Sequence, residues 1–207
     1  MSDFDKKAHW ENIYTTKALE NVSWYQRIPL TSLDFIDRAT LTKDNAIIDI
    51  GGGDSFLTDH LLDLSYADLS VLDISKQALL RAQKRLGADK ASKVTWIEAD
   101  ASDFQSEKKY DLWHDRAAFH FLTDEIEIAN YVKTVKNLVK TDGIIVIGTF
   151  SENGPEKCSG IPIKQYSVSE LAKVFEKDFE LINTQIIDHK TPFDTVQNFS
   201  FCCLRKR

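Results

Sequence analysis

The stretch Ile47-Ile48-Asp49-Ile50-Gly51-Gly52-Gly53-Asp54-Ser55 sets three consecutive glycines behind a short apolar run. A β-branched apolar run of this length reads as a strand covered on both faces, and the glycines behind it mark a turn from strand into helix. In an open α/β sheet, ligands bind beyond the carboxyl ends of the strands, at turns of this kind. Glycine there permits positive φ and lets a ligand meet the backbone with no Cβ in the way. A tight turn by itself needs one such glycine, so a run of three points to a ligand.

On either side of this turn, short apolar runs alternate with longer helical patterns, the βαβ signature of a parallel sheet. Strands are expected near Ala46 to Ile50, Leu69 to Ile74, Val94 to Glu98, Tyr110 to His114 and Ile144 to Phe150. Helices are expected near Phe56 to Leu64, Ser75 to Leu86 and Glu125 to Val139, and the opening to about Asp44 reads as helices laid on the sheet. After Phe150 come a Gly- and Pro-bearing loop, Ser151 to Pro162, and a helix near Val168 to Phe175. Two last runs, Phe179 to Asp188 and Gln197 to Leu204, are separated by too few residues for a helical crossover, so they should pair as an antiparallel hairpin. The expected fold is α/β: seven strands, mostly parallel, ending in that hairpin, with helices on both faces.

The chain has 207 residues, 43% of them hydrophobic, which suits one soluble domain spanning 1–207. Its formal charge of -6 argues against a duplex-binding surface, which needs clustered positive charge. Only the tail, Leu204-Arg205-Lys206-Arg207, is basic. No apolar run is long enough to cross a bilayer, and the acidic opening Met1-Ser2-Asp3-Phe4-Asp5 is unlike a signal peptide, so a cytoplasmic protein without membrane or nucleic-acid partners is expected, as monomer or weak dimer. Three cysteines form no framework of bridges; Cys202 and Cys203 should point to opposite faces of a strand as reduced thiols. No metal-binding spacing is present.

Two further acids extend the glycine signal. In Val71-Leu72-Asp73-Ile74-Ser75 an acid ends the next strand, about twenty residues after the glycines, where a carboxylate accepts hydrogen bonds from a ribose diol. In Trp96-Ile97-Glu98-Ala99-Asp100-Ala101, Asp100 could accept from an adenine amino group with the Ala101 backbone beside the ring. Asp49, Asp73 and Asp100 thus lie along one sheet edge, an arrangement suited to a nucleoside. A nicotinamide dinucleotide and S-adenosylmethionine both carry an adenosine, but the dinucleotide fingerprint GxGxxG started at Gly51 would end on Phe56, which disfavours the dinucleotide.

With these residues the chain resembles the class I S-adenosylmethionine-dependent methyltransferases, from about His9 to the end. The resemblance implies a Rossmann-like sheet and a cofactor site of Asp49, Gly51, Gly52, Gly53, Asp73, Ile74, Asp100 and Ala101, with Asp115 and Arg116 of Trp113-His114-Asp115-Arg116 near the methionyl end. Ser55 stands where many members carry a further glycine. The segments His9-Trp10-Glu11-Asn12-Ile13-Tyr14 and Ser23-Trp24-Tyr25-Gln26 resemble a branch whose N-terminal residues, here 1–44, form a helical cap over the cofactor. Aromatic faces beside a sulfonium offer about 0.5 to 2 kcal/mol of cation-π attraction. The implied activity is methyl transfer to a small-molecule acceptor, leaving S-adenosylhomocysteine. A protein lysine is the alternative acceptor, and a non-catalytic nucleoside-binding module or an NAD-dependent oxidoreductase are the alternative classes. Should the acceptor need a base, His114, His120 and His189 are candidates, with Asp115 and the loop thiol Cys158 as further polar groups.

Overall fold

Ala46–Ile50 forms β1, and all five of its residues are buried. The computed structural model describes residues 4–207; Met1 to Asp3, within the acidic opening, lie outside the described residues. The remaining strands are β2 (Asp68–Asp73), β3 (Val94–Glu98), β4 (Tyr110–Arg116), β5 (Val139–Phe150), the short pair β6 (Lys157–Cys158) and β7 (Ile161–Pro162), β8 (Phe179–Lys190) and β9 (Val196–Lys206). The helices are α1 (Lys6–Thr16), α2 (Leu30–Arg38), α3 (Leu57–Asp63), α4 (Lys76–Ala91), α5 (Glu125–Leu138) and α6 (Val168–Phe175). Seven strands form one sheet in the order β3-β2-β1-β4-β5-β9-β8. The first five pair in parallel, and β9 runs antiparallel between β5 and β8. This is the Rossmann-like α/β sheet with a C-terminal hairpin that the sequence implies.

Alternation within strands divides the core into two layers. Ile145 and Ile147 of β5 and Cys202 and Leu204 of β9 face α5 and α6, where Tyr131, Val135, Leu171 and Phe175 are buried. Ile144, Val146, Phe201 and Cys203 face the other way, onto Phe35 and Ile36 of α2 and Leu57 and Leu61 of α3. Cys202 and Cys203 therefore lie on opposite faces, both as free thiols. Each such aliphatic or aromatic burial is worth about 1.5–3 kcal/mol, so a strand apolar at every position is held from both sides.

Local chemistry sets the helix ends. Ser75 caps α4 by accepting from Ala78 N, Asp124 caps α5, and Ser167 with Glu170 forms a capping box on α6. Two boundaries differ from the sequence reading by five residues, and the others by no more than two. α4 passes Leu86 and reaches Ala91, but it breaks at Gly87, whose φ of 75° and ψ of 163° are not helical. β5 starts at Val139 rather than Ile144: Tyr110 pairs with Val139 and Leu112 with Ile144, so Lys140 to Gly143 form an irregularity inside the ladder. The loop after β5 also contains the two-residue ladder β6–β7, which is too short to leave a periodic signal.

Candidate functional site

The glycine turn leaves β1 at the carboxyl edge of the sheet, and Gly51 and Gly53 have φ of 61° and 33°. A Cβ at Gly51 would stand 2.7 Å from Ala118 Cβ, and one at Gly53 would stand 2.5 Å from Asp73 Oδ2. At Gly52 the obstacle would be Asp49 Oδ2, also at 2.5 Å. The bare turn thus lets the carboxylates of Asp49 and Asp73 fold against it, a structural use of glycine beyond the ligand approach expected from the sequence.

Beside the turn opens a cavity of about 130 Å³. Gly51, Asp73, Ile74, Asp100, Ala101 and Arg116 all line it, six of the ten residues expected at a cofactor site. Asp49 and Gly52 instead line a second cavity of about 50 Å³, which shares Gly51, Tyr14, Trp24 and Arg116 with the first. Gly53 and Asp115 line neither. Asp115 is fully buried: Oδ1 accepts from Ala118 N and Phe119 N at 3.0 and 3.1 Å, and Oδ2 accepts from Tyr131 Oη at 2.6 Å. Burial pushes its carboxyl up to about 6. Its contacts hold the turn after β4 from behind the cavity wall.

The acids along the edge are differently held. Asp73 is buried, and its Oδ1 accepts from Ser75 N at 2.8 Å; burial drives its carboxyl up to about 7, with the nearby Asp49 and Glu11 charges adding to the rise. Asp100 Oδ1 accepts from Ser102 N and Oγ at 2.8 and 2.7 Å. Asp49 Oδ1 pairs with His114 Nδ1 at 2.7 Å, while His114 Nε2 meets Ser32 Oγ at 2.8 Å. Against a carboxylate, Nδ1 carries the proton, and in the neutral ring Nε2 then accepts from Ser32. Two buried atoms on these cavity residues have no partner, Asp49 Oδ2 and Arg116 Nη2. An unpartnered buried polar group costs about 1–3 kcal/mol, so Asp49 fits a ligand's ammonium, as at the amino-acid end of S-adenosylmethionine, and Arg116 fits a separate anionic group.

Of the other base candidates, only Cys158 lines the main cavity, and burial pushes its thiol up to about 11. His114 lines the second cavity with both nitrogens engaged. His120 lies behind the wall, its Nδ1 accepting from Phe150 N at 3.3 Å and its ring 4.7 Å from that of Phe150. Burial, with the Arg116 charge adding, lowers it to about 3. His189 meets Ser23 O at 2.8 Å and Gln26 Nε2 at 3.3 Å, and burial lowers it too.

Sequence reading missed the way the first helix is fixed to this edge. Glu11 Oε1 accepts from Lys76 N at 2.8 Å, and its Oε2 accepts from Gln77 N and Ser75 Oγ at 3.1 Å each, so a carboxylate of α1 sits on the amino end of α4. Arg81 holds the other end of α1 through Tyr14 O at 2.8 Å and Lys17 O at 2.7 Å. Trp10 packs edge-on against Trp24 and Phe121, with ring centroids at 5.7 and 5.0 Å, and all three face the main cavity.

Comparison with known proteins agrees with this geometry. Residues 48–145 match a family described as a methyltransferase domain. That match spans slightly under half of the chain and, with the likenesses below, supports an S-adenosylmethionine-dependent methyltransferase. The chain is 24% identical over 194 residues to malonyl-[acyl-carrier protein] O-methyltransferase 1 of Ilyobacter polytropus, covering 88% of this chain and 70% of that one. Its fold resembles a SAM-dependent methyltransferase from Anabaena variabilis, with TM-score 0.75, 18% identity and 99% and 96% of the two chains covered. It also resembles the glycopeptide N-methyltransferase MtfA complexed with S-adenosylmethionine, with TM-score 0.68, 13% identity and 90% and 97% covered. Among the described residues, no helix is long and apolar enough to cross a membrane.

Proposed function

We propose that this methyltransferase transfers the methyl group of S-adenosylmethionine to a small-molecule acceptor, and that the main cavity takes the cofactor's nucleoside. The observation that carries the reading is the placement of three acids, Asp49, Asp73 and Asp100, at or just beyond the carboxyl ends of the neighbouring strands β1, β2 and β3, with the cavity running between Asp73 and Asp100. Asp73 is suited to the ribose diol, Asp100 and the Ala101 backbone to the adenine, and Asp49 Oδ2 to an ammonium. When bound, the cofactor supplies an electrophilic methyl carbon on a sulfonium. The chain's part is alignment and exclusion of water, worth up to several kcal/mol in an in-line displacement. α1, fixed by Glu11, and the aromatic group of Trp10, Trp24 and Phe121 would close the cavity as an N-terminal cap.

The relative of known name acts on oxygen and MtfA on nitrogen, so likeness to them leaves the acceptor atom open. Incubation with methyl-labelled cofactor and a panel of small acceptors tests the reading. Label should pass to an acceptor with wild-type protein and fall strongly with Asp73→Asn. Absence of transfer to any acceptor, together with no binding of S-adenosylhomocysteine, would overturn it.

A further inference from the structure

We infer that the acceptor is an anion of the carboxylate class, held against the Arg116 guanidinium at the hairpin side of the cavity; this rests on the methyltransferase reading above. Arg116 ends β4 and lines both cavities. Its Nη1 donates to Trp24 O at 3.3 Å, its Cζ lies 4.8 Å from the centre of the Phe199 ring, and its buried Nη2 has no partner. Among the described residues no carboxylate lies within ion-pair distance of it, whereas Lys6, the other cation on the cavity wall, is paired with Glu127. A cation partly removed from water and without a paired carboxylate is costly, and such groups are held where a ligand brings the opposite charge.

The position of the guanidinium favours the acceptor as the source of that charge. Asp73 ends β2, Asp100 follows β3 and Asp49 lies in β1, whereas Phe199 is on β9, on the far side of β4 and β5. Neighbouring strands lie about 4.8 Å apart, which sets β9 roughly 19 Å from β2. Arg116 therefore leans toward the hairpin and Cys158, away from the ribose-side acid.

The surrounding groups agree with an acceptor that arrives already ionised. His120 is lowered to about 3 and the Cys158 thiol raised to about 11. His114 is engaged at both nitrogens. None is suited to removing a proton from a neutral acceptor near pH 7. A carboxylate needs no such removal. Its oxygen lone pair forms the new bond to the methyl carbon as the carbon–sulfur bond breaks, and that bonding pair stays on sulfur. Anion and sulfonium become a neutral ester and a neutral thioether, with no proton released.

The test is calorimetric titration of the protein saturated with S-adenosylhomocysteine, using benzoate, phenylacetate and malonate against benzamide, phenylacetamide and benzylamine. The acids should bind at least about tenfold tighter than the amides, as expected for a hydrogen bond to a charged group. Arg116→Gln should lower acid affinity roughly 10- to 100-fold, while Arg116→Lys retains part of it. Both variants should leave the affinities for S-adenosylhomocysteine and 5′-methylthioadenosine, which lacks the amino-acid end, unchanged. Equal binding of acids and amides would overturn the inference. So would an Arg116→Gln protein that loses S-adenosylhomocysteine yet keeps 5′-methylthioadenosine, which would give the guanidinium to the cofactor's own carboxylate. A wild-type protein that binds neither S-adenosylmethionine nor S-adenosylhomocysteine would sink the underlying methyltransferase reading first.

Discussion

The two ends of the sheet edge bury ionisable groups of opposite kind. On the β1–β2 side Asp73 is buried as an acid pushed up to about 7, and on the central β4 Asp115 is pushed up to about 6. On the hairpin side His120 and His189 are buried and lowered, His120 to about 3. Burial is the leading cause in all four, because it disfavours whichever form is charged. The Asp73 carboxyl is therefore poised for a ligand that makes ionisation favourable, such as a ribose diol, while Asp115 and the imidazoles serve as wall. The difference also gives the two regions opposite responses to acid.

The largest effect should come from the hairpin side. A histidine lowered in the fold contributes stability that is complete above its unfolded value of 6.5 and is lost as pH falls toward about 3. Over that window His120 should cost up to about 5 kcal/mol. His120→Phe should flatten the acid-induced fall in melting temperature; an unchanged acid limb would break the contrast.

Asp73 should show the reverse sign. Its raised pKa means that stability is complete below 3.8 and is lost as pH rises through about 7, by up to about 4 kcal/mol. Asp73→Asn should therefore raise the melting temperature at pH 7 more than at pH 4, while cutting S-adenosylhomocysteine affinity roughly 10- to 100-fold. Asp115→Ala should do the opposite. It strips the acceptor from Ala118 N, Phe119 N and Tyr131 Oη, which should cost about 3 kcal/mol in chemical denaturation, with a smaller loss of cofactor affinity. Glu11→Gln should have the smallest effect. It weakens a charge at a helix amino end by about 1 kcal/mol, seen as faster release of S-adenosylhomocysteine in stopped-flow fluorescence of Trp10 and Trp24.

The same contrast explains what the sequence could disclose. Asp73 and Asp100 were legible because each stands at or just beyond the end of a strand-like run, so strand ends alone locate them at the edge. The mostly parallel seven-strand sheet and its closing hairpin followed from the same runs and from the short Lys190 to Val196 connection, whereas the strand order did not. β5's early start was not legible, since Val139 joins the ladder across an irregularity that conceals the period. Nor could local pattern reveal Glu11 on Ser75, 64 positions away, or His189 on Ser23, 166 positions away. Asp115 shows the converse: it sits in the expected segment beside Arg116, yet its neighbours Ala118, Phe119 and Tyr131 claim both oxygens. Periodicity gives the depth of a residue along a strand, while the partner its side chain finds depends on packing brought from elsewhere.

Calorimetric titration with S-adenosylmethionine, S-adenosylhomocysteine and NAD, on wild-type protein and on Asp73→Asn, tests the central claim most directly. The account predicts binding of the first two ligands, no binding of NAD, and a roughly 10- to 100-fold loss in the variant. Binding of NAD alone, or undiminished affinity for S-adenosylhomocysteine in Asp73→Asn, would contradict it.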